Sequence, residues 1–170
     1  MVLHGPEECY KSVFILQIAE SLACGKYLLR KWAVPRALRV GVIETEMHQA
    51  MMGERLTEMF SDGNVPTGLL FMNEETLKSW RRQDLRGKIK LIQEWVKDEA
   101  IDVLVIDTAN DFFRGALSPS DERHVGELFD LLRNLALKGV VLVRHDHKKR
   151  EFDAEGFSAF LKLPAFARQD

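Results

Sequence analysis

The sequence predicts an α/β domain with a mostly parallel central sheet and helices on both faces. Three observations predict it. Short apolar runs (Val2-Leu3, Leu38–Ile43, Leu69–Met72, Ile101–Ile106 and Val140–Val143) alternate along the chain with longer segments of helical period. That alternation is the pattern of parallel strands joined by crossover helices. Several runs deliver a charged or titratable residue at their C-terminal end: Glu44 and Glu46, Asp107, His145. Right-handed crossovers bring such ends to one edge of the sheet, where open α/β folds place their chemistry. Finally, 170 residues with 46 % hydrophobic and 29 % charged side chains suffice for one domain with a real core.

The bulk properties exclude several classes. A net charge of −2 gives no global attraction to nucleic acid or anionic membrane, so any such contact needs local patches. The two cysteines, Cys9 and Cys24, form neither a disulfide framework nor a zinc spacing, and reduced cytoplasm is the expected setting. No apolar run reaches membrane-spanning length, and no basic-then-apolar leader opens the chain.

After Val2-Leu3 comes Gly5-Pro6-Glu7-Glu8-Cys9-Tyr10-Lys11-Ser12. It reads G-x-x-x-x-Y-K-S, one residue from the phosphate-binding loop G-x-x-x-x-G-K-[ST]. The apolar segment from Val13 to Ala23 predicts a helix of about three turns, with only Gln17, Glu20 and Ser21 on a solvated stripe and Gly25 as its stop. A loop between strand and helix aims backbone N–H groups at one point, which attracts phosphate. Lys11 would reach the terminal phosphates of a nucleotide and the Ser12 hydroxyl would hold Mg²⁺. The competing explanation is an ordinary strand–turn–helix with a surface lysine.

Residues 26–35 read as a connector whose Tyr27, Leu28, Leu29 and Trp32 serve packing. A second strand then leads to Glu44-Thr45-Glu46. The segment from His48 to Phe60 predicts a helix with Met47, Met51 (with Met52), Leu56, Met59 and Phe60 as core filler. A turn at 61–64 and a short strand at 69–72 follow. Residues 84–98 predict an amphipathic helix with Leu85, Ile89, Ile92 and Val96 inward and its lysines and arginines in solvent. The next strand ends in Asp107. A loop from Thr108 to Pro119 carries Arg114. Then comes a helix with the stripe Val125, Leu128, Phe129, Leu132, Leu135 and Ala136, ended by Gly139, and a last strand running into Arg144-His145-Asp146-His147-Lys148-Lys149-Arg150.

Nucleoside triphosphate hydrolysis needs a phosphate cradle, Mg²⁺, a group that orients water and positive charge for the transition state. Asp107 suits the acidic partner of Mg²⁺, acting with Ser12; the alternative is a strand-end aspartate capping a turn. Glu44 or Glu46 would polarise the attacking water, and spacing alone does not choose between them. His145 would sense the terminal phosphate, and Lys148, Lys149 and Arg150 would supply positive charge to this site or to a neighbouring subunit's. A metal pair at His145 and His147 lacks a third ligand in the sequence nearby.

These motifs, in this order, resemble a RecA-like P-loop ATPase, in the branch of RepA-type and DnaB-type hexameric helicases. Gly5-Pro6-Glu7 with Lys11-Ser12 is similar to that family's loop. Val42-Ile43-Glu44-Thr45-Glu46-Met47, with Arg55 beyond, resembles the strand and catalytic glutamate, and on that match Glu46 is the catalytic residue. Val103–Thr108 resembles the Walker B strand. Val141–Lys148 resembles the strand that ends in a histidine and is followed by a lysine contacting nucleotide across a subunit boundary. Gly156-Phe157-Ser158-Ala159 is faintly similar to a late G-S-x-A segment.

The resemblance implies a single core domain over residues 1–170, bare or trimmed from a longer chain. It implies ATP and Mg²⁺ as cofactors, Lys11, Glu46 and His145 as catalytic residues, and Ser12 with Asp107 at the metal. Nucleotide contacts would come from Gly5, Pro6, Glu7, Glu8, Cys9, Tyr10, Lys11, Ser12, Val13 and Lys148. Its partners would be single-stranded DNA, met by loops 108–119 and 148–156, and further copies of the chain in a ring or filament.

Tyr10 departs from the pattern, standing where glycine normally does. It serves if the backbone there is already helical and the ring points away from phosphate. Two other readings follow from the same residues. One is a nucleotide-binding assembly module that does not hydrolyse. The other is a P-loop kinase using Arg81-Arg82 and Lys148–Arg150 as lid cations.

Overall fold

A computed structural model of the chain describes residues 1–5, 10–47, 49–60, 63–109 and 132–145. The expectations for Pro6–Cys9, for His48, for the loop carrying Arg114, for Val125, Leu128 and Phe129, and for everything from Asp146 onward lie outside them.

Five parallel strands form one sheet in the order β1-β5-β4-β2-β3. They are β1 (Val2–Gly5), β2 (Val40–Glu44), β3 (Leu69–Phe71), β4 (Val103–Asp107) and β5 (Gly139–His145). Between them run α1 (Lys11–Cys24), α2 (Gln49–Met59), α3 (Glu74–Arg81) and α4 (Leu85–Asp98). Every residue of β2 and β4 is buried, as expected of strands covered on both faces. Strand alternation sorts their side chains. Val40, Val42, Val103, Val105, Val141 and Val143 face a core built with Ile15, Ile18 and Ala19 of α1 and Phe60 after α2. Ile43, Leu104, Ile106 and Leu142 face the opposite core, with Trp80 of α3, Ile89, Ile92 and Val96 of α4, and Leu132 and Leu135. Burial of side chains of this size is worth about 1.5–3 kcal/mol each. The predicted α/β sheet with helices on both faces is the observed one.

At Gly41, Trp95 of α4 and Ile101 beyond it leave no room for a side chain. A Cβ there would stand 2.6 Å from Ile101 Cδ1 and about 3 Å from the Trp95 ring. Gly25 ends α1 as its sequence position implies. It lies at φ 64°, its N–H reaches the Leu22 carbonyl, and Lys26 N donates to Ser21 O at 2.9 Å. A Cβ would meet Ala37 N at 2.8 Å. The left-handed conformation costs a side-chain-bearing residue about 1–2 kcal/mol, before that clash is relieved. Gly25→Ala is therefore expected to lower stability by about 2 kcal/mol, seen in urea as a lower midpoint at unchanged slope.

Several expectations are corrected. Gly139 is the first residue of β5; the preceding segment ends instead in a turn at 134–136, with Ala136 at φ 52°. In residues 26–35 only Leu28 packs on the core. Its carbonyl accepts from both Lys31 N and Trp32 N, with Leu29 and Arg30 at positive φ, and this tight turn leaves Tyr27, Leu29 and Trp32 exposed. In α2, Met52 is buried and Met51 is exposed. In α4, Lys88 is not in solvent: it is 2 % exposed, and its ammonium stands 4.7 Å from the centre of the Trp80 ring. Helix α3 was not foreseen, although Asn73 before Glu74-Glu75-Thr76 is a helix-start signal; the Asn73 side chain accepts from Thr76 N at 2.8 Å.

Candidate functional site

All five strands run the same way, so their C-terminal ends share one edge. There Gly5 pairs with His145, Asp107 pairs with Val143, and Glu44 pairs with Asp107. Strand spacing of about 4.8 Å puts the end of β1 roughly 10 Å from the end of β4. The two ends of the predicted loop, the aspartate, the glutamates and the histidine position thus come to one edge from four separate segments.

Helix α1 begins at this edge. Lys11 is its first residue and is only 6 % exposed; Ser12 and Val13 follow, half-buried. Tyr10 precedes it at φ 59°, ψ 23°. The first condition set above for Tyr10, a backbone already in the right-handed helix, is not met: Tyr10 takes the left-handed conformation a glycine would take. The second condition concerns the ring, and the residue is 80 % exposed. Tyr10 O accepts from Phe14 N at 3.0 Å, the first hydrogen bond of the helix.

The two glutamates, equivalent by spacing, differ in the structure. Glu44 is buried, and its Oε1 accepts from Glu46 N at 2.9 Å and from Met47 N at 3.0 Å. Glu46 is exposed, and its Oε1 accepts from the Thr108 hydroxyl at 3.1 Å. Glu44 is committed to the backbone, whereas Glu46 stands where water can reach it.

Two threonines that the motif reading passed over join the strand ends. Thr45 N donates to Asp107 O at 2.7 Å, and its hydroxyl donates to the same oxygen at 3.2 Å. Thr108 N donates to Thr45 Oγ1 at 2.9 Å. Both threonines are buried. Arg81 of α3, considered above as a lid cation, donates to the Thr45 carbonyl. The available signal was the threonine directly after a strand-end carboxylate in both Glu44-Thr45 and Asp107-Thr108.

Burial, and then the neighbouring charge of Asp107, push the Glu44 carboxyl up from 4.5 to about 7, against the two N–H bonds that favour its ionised form. In the unfolded chain it titrates near 4.5, so the folded state holds the extra proton between those values. The associated stability is fully present below pH 4.5 and is lost as pH rises through about 7. The interval from 4.5 to about 7 corresponds to roughly 3 kcal/mol. Glu44→Gln is expected to match wild type at pH 4.5 and to melt several degrees higher at pH 8 without metal or nucleotide, a comparison thermal scans decide.

Among the described residues no three His, Cys, Asp or Glu side chains form a closed metal cage. A Mg²⁺ held by one hydroxyl, one carboxylate, waters and phosphate oxygens needs none.

A parallel sheet with these residues at its C-terminal edge has the RecA-like ATPase fold, and solved structures agree. The flagellar accessory protein FlaH from Methanocaldococcus jannaschii is similar at 15 % identity and a TM-score of 0.55, over 94 % of this chain and 66 % of that one. A KaiC-like protein from Pyrococcus horikoshii is similar at 12 % identity and a TM-score of 0.60, over 92 % of this chain and 67 % of that one. The chain thus spans about two thirds of the length of each. It belongs to the AAA domain family, whose model matches residues 1–151, and is in that sense a nucleotide-binding ATPase module. No curated protein matches it. No described helix is long and apolar enough to cross a membrane.

Proposed function

We propose that the chain binds Mg-ATP at the C-terminal edge of its sheet and hydrolyses it. The observation that carries this is the meeting at that edge of the ends of β1, β2, β4 and β5 with the start of α1. In this reading Lys11 and the first N–H groups of α1 bind the phosphates, with Gly5 to Val13 as the loop around them. Mg²⁺, held by Ser12 and Asp107, supplies charge neutralisation at the phosphates when bound. Glu46 orients and polarises the attacking water, helped by the Thr108 hydroxyl that fixes its carboxylate. His145, on the strand between β1 and β4, senses the terminal phosphate, and Lys148 contributes positive charge to its own site or a neighbour's.

The finer reading is a helicase-like motor acting on single-stranded DNA in replication or recombination, working in the cytoplasm as a ring or filament of identical chains. It rests on the order of motifs and on the cationic side chains Arg114, Lys148, Lys149 and Arg150 in segments 108–119 and 148–156. Phosphate release from purified protein, with and without single-stranded DNA, tests both levels. ATP-specific release that DNA stimulates supports the motor. Release indifferent to DNA restricts the proposal to the ATPase. Nucleotide-dependent assembly without release favours the non-hydrolysing module.

A further inference from the structure

Resting on the reading of Glu46 as the group that polarises water, we propose that Glu44 is its positioning residue. Its buried carboxylate holds the backbone that carries Glu46 and thereby aims Glu46 into the site.

Glu44 is the last residue of β2 and the register partner of Asp107. One more residue, Thr45, remains tied to β4 through its backbone and hydroxyl bonds to Asp107 O. Beyond it the chain leaves the sheet for α2. At that departure the Glu44 side chain turns forward, and one oxygen takes both the Glu46 and the Met47 N–H, at 2.9 and 3.0 Å. Two successive peptide groups are thereby fixed relative to the sheet. Glu46 is thus held twice, by Glu44 at its backbone and by Thr108 at its carboxylate, at 3.1 Å. The second hold works only while the first keeps the side chain within reach of Thr108. Thr108 is itself fixed, since its N–H donates to Thr45. A reacting group displaced by about 1 Å can lose about 10²-fold in rate, so loss of the backbone hold is a catalytic defect even when binding survives.

The role needs an acceptor at the end of a glutamate-length side chain and does not need its charge. Glu44→Gln keeps both acceptor position and length, and is expected to retain kcat within about threefold. Glu44→Leu removes the acceptor. Its kcat is expected to fall roughly 10²-fold with KM for ATP nearly unchanged. Amide exchange at Glu46 and Met47, followed by hydrogen–deuterium exchange, is expected to quicken in Glu44→Leu and to stay slow in Glu44→Gln. Should Glu44→Leu not fold, Glu44→Met keeps the length of the side chain but offers no oxygen to the two N–H groups, and the same fall in kcat is expected. Steady-state ATP turnover of the full chain reads all three variants. Wild-type kcat in Glu44→Leu or Glu44→Met overturns the assignment, as does a Glu44→Gln variant as slow as Glu44→Leu, which would make the charge the working feature. A wild-type chain without ATP turnover overturns the parent reading and the assignment with it. Normal turnover in Glu44→Leu, alongside a Glu46→Gln variant that is inactive, overturns the assignment alone.

Discussion

Lys11→Ala is expected to lower kcat/KM for ATP by roughly 10²–10³-fold, about what one preorganised donor to developing charge contributes. The lysine is the first residue of α1 and is almost wholly buried. In this account helix partial charge and ammonium then act on the same phosphates, and burial of the lysine makes its charge worth more than it would be in water. Alanine leaves the N–H groups in place, so weak nucleotide binding should survive. Steady-state turnover with a binding titration separates the two effects. The prediction requires both parameters to suffer, because the lysine would touch the phosphates before and during transfer. Circular dichroism must show the fold intact, since truncating a buried side chain also costs packing.

Glu46→Gln has the other large effect, and its signature differs. Glutamine keeps the length of the side chain and can still accept from the Thr108 hydroxyl, but cannot draw a proton from water. A positioned base contributes about 10²–10⁴-fold, so kcat should fall by at least about 10²-fold with nucleotide affinity unchanged. Glu44→Gln is the paired control. It removes a carboxylate from the same three-residue segment, yet one engaged with the Glu46 and Met47 amides. Loss of turnover in Glu44→Gln, with activity retained in Glu46→Gln, would reverse the assignment of roles.

How far the sequence revealed these features depends on what each rests on. The sheet was legible because β2 and β4 are continuous apolar runs between amphipathic helices, a pattern that burial on both faces demands. The strand-end residues were legible for the same reason, since a parallel sheet gathers them whatever the loops do. What stayed hidden depends on which way single side chains point. Two glutamates at a spacing of two look alike until one is found folded back onto backbone amides. Lys88 reads as a solvated helix residue until Trp80, from a different helix, offers its ring. Tyr27, Leu29 and Trp32 read as core until a tight turn puts them outside. Tyr10 shows both sides. The departure from glycine was visible in the sequence, and its resolution, a left-handed backbone with the ring in solvent, was not.

The measurement closest to the central claim is a crystal structure of the chain with Mg²⁺ and a non-hydrolysable ATP analogue. The account predicts the terminal phosphates against the start of α1 with the Lys11 ammonium upon them. It predicts the cation between the Ser12 hydroxyl and the Asp107 carboxylate, and Glu46 facing the γ-phosphate across a water. Phosphates bound elsewhere, or a cation that ignores Asp107, would contradict it.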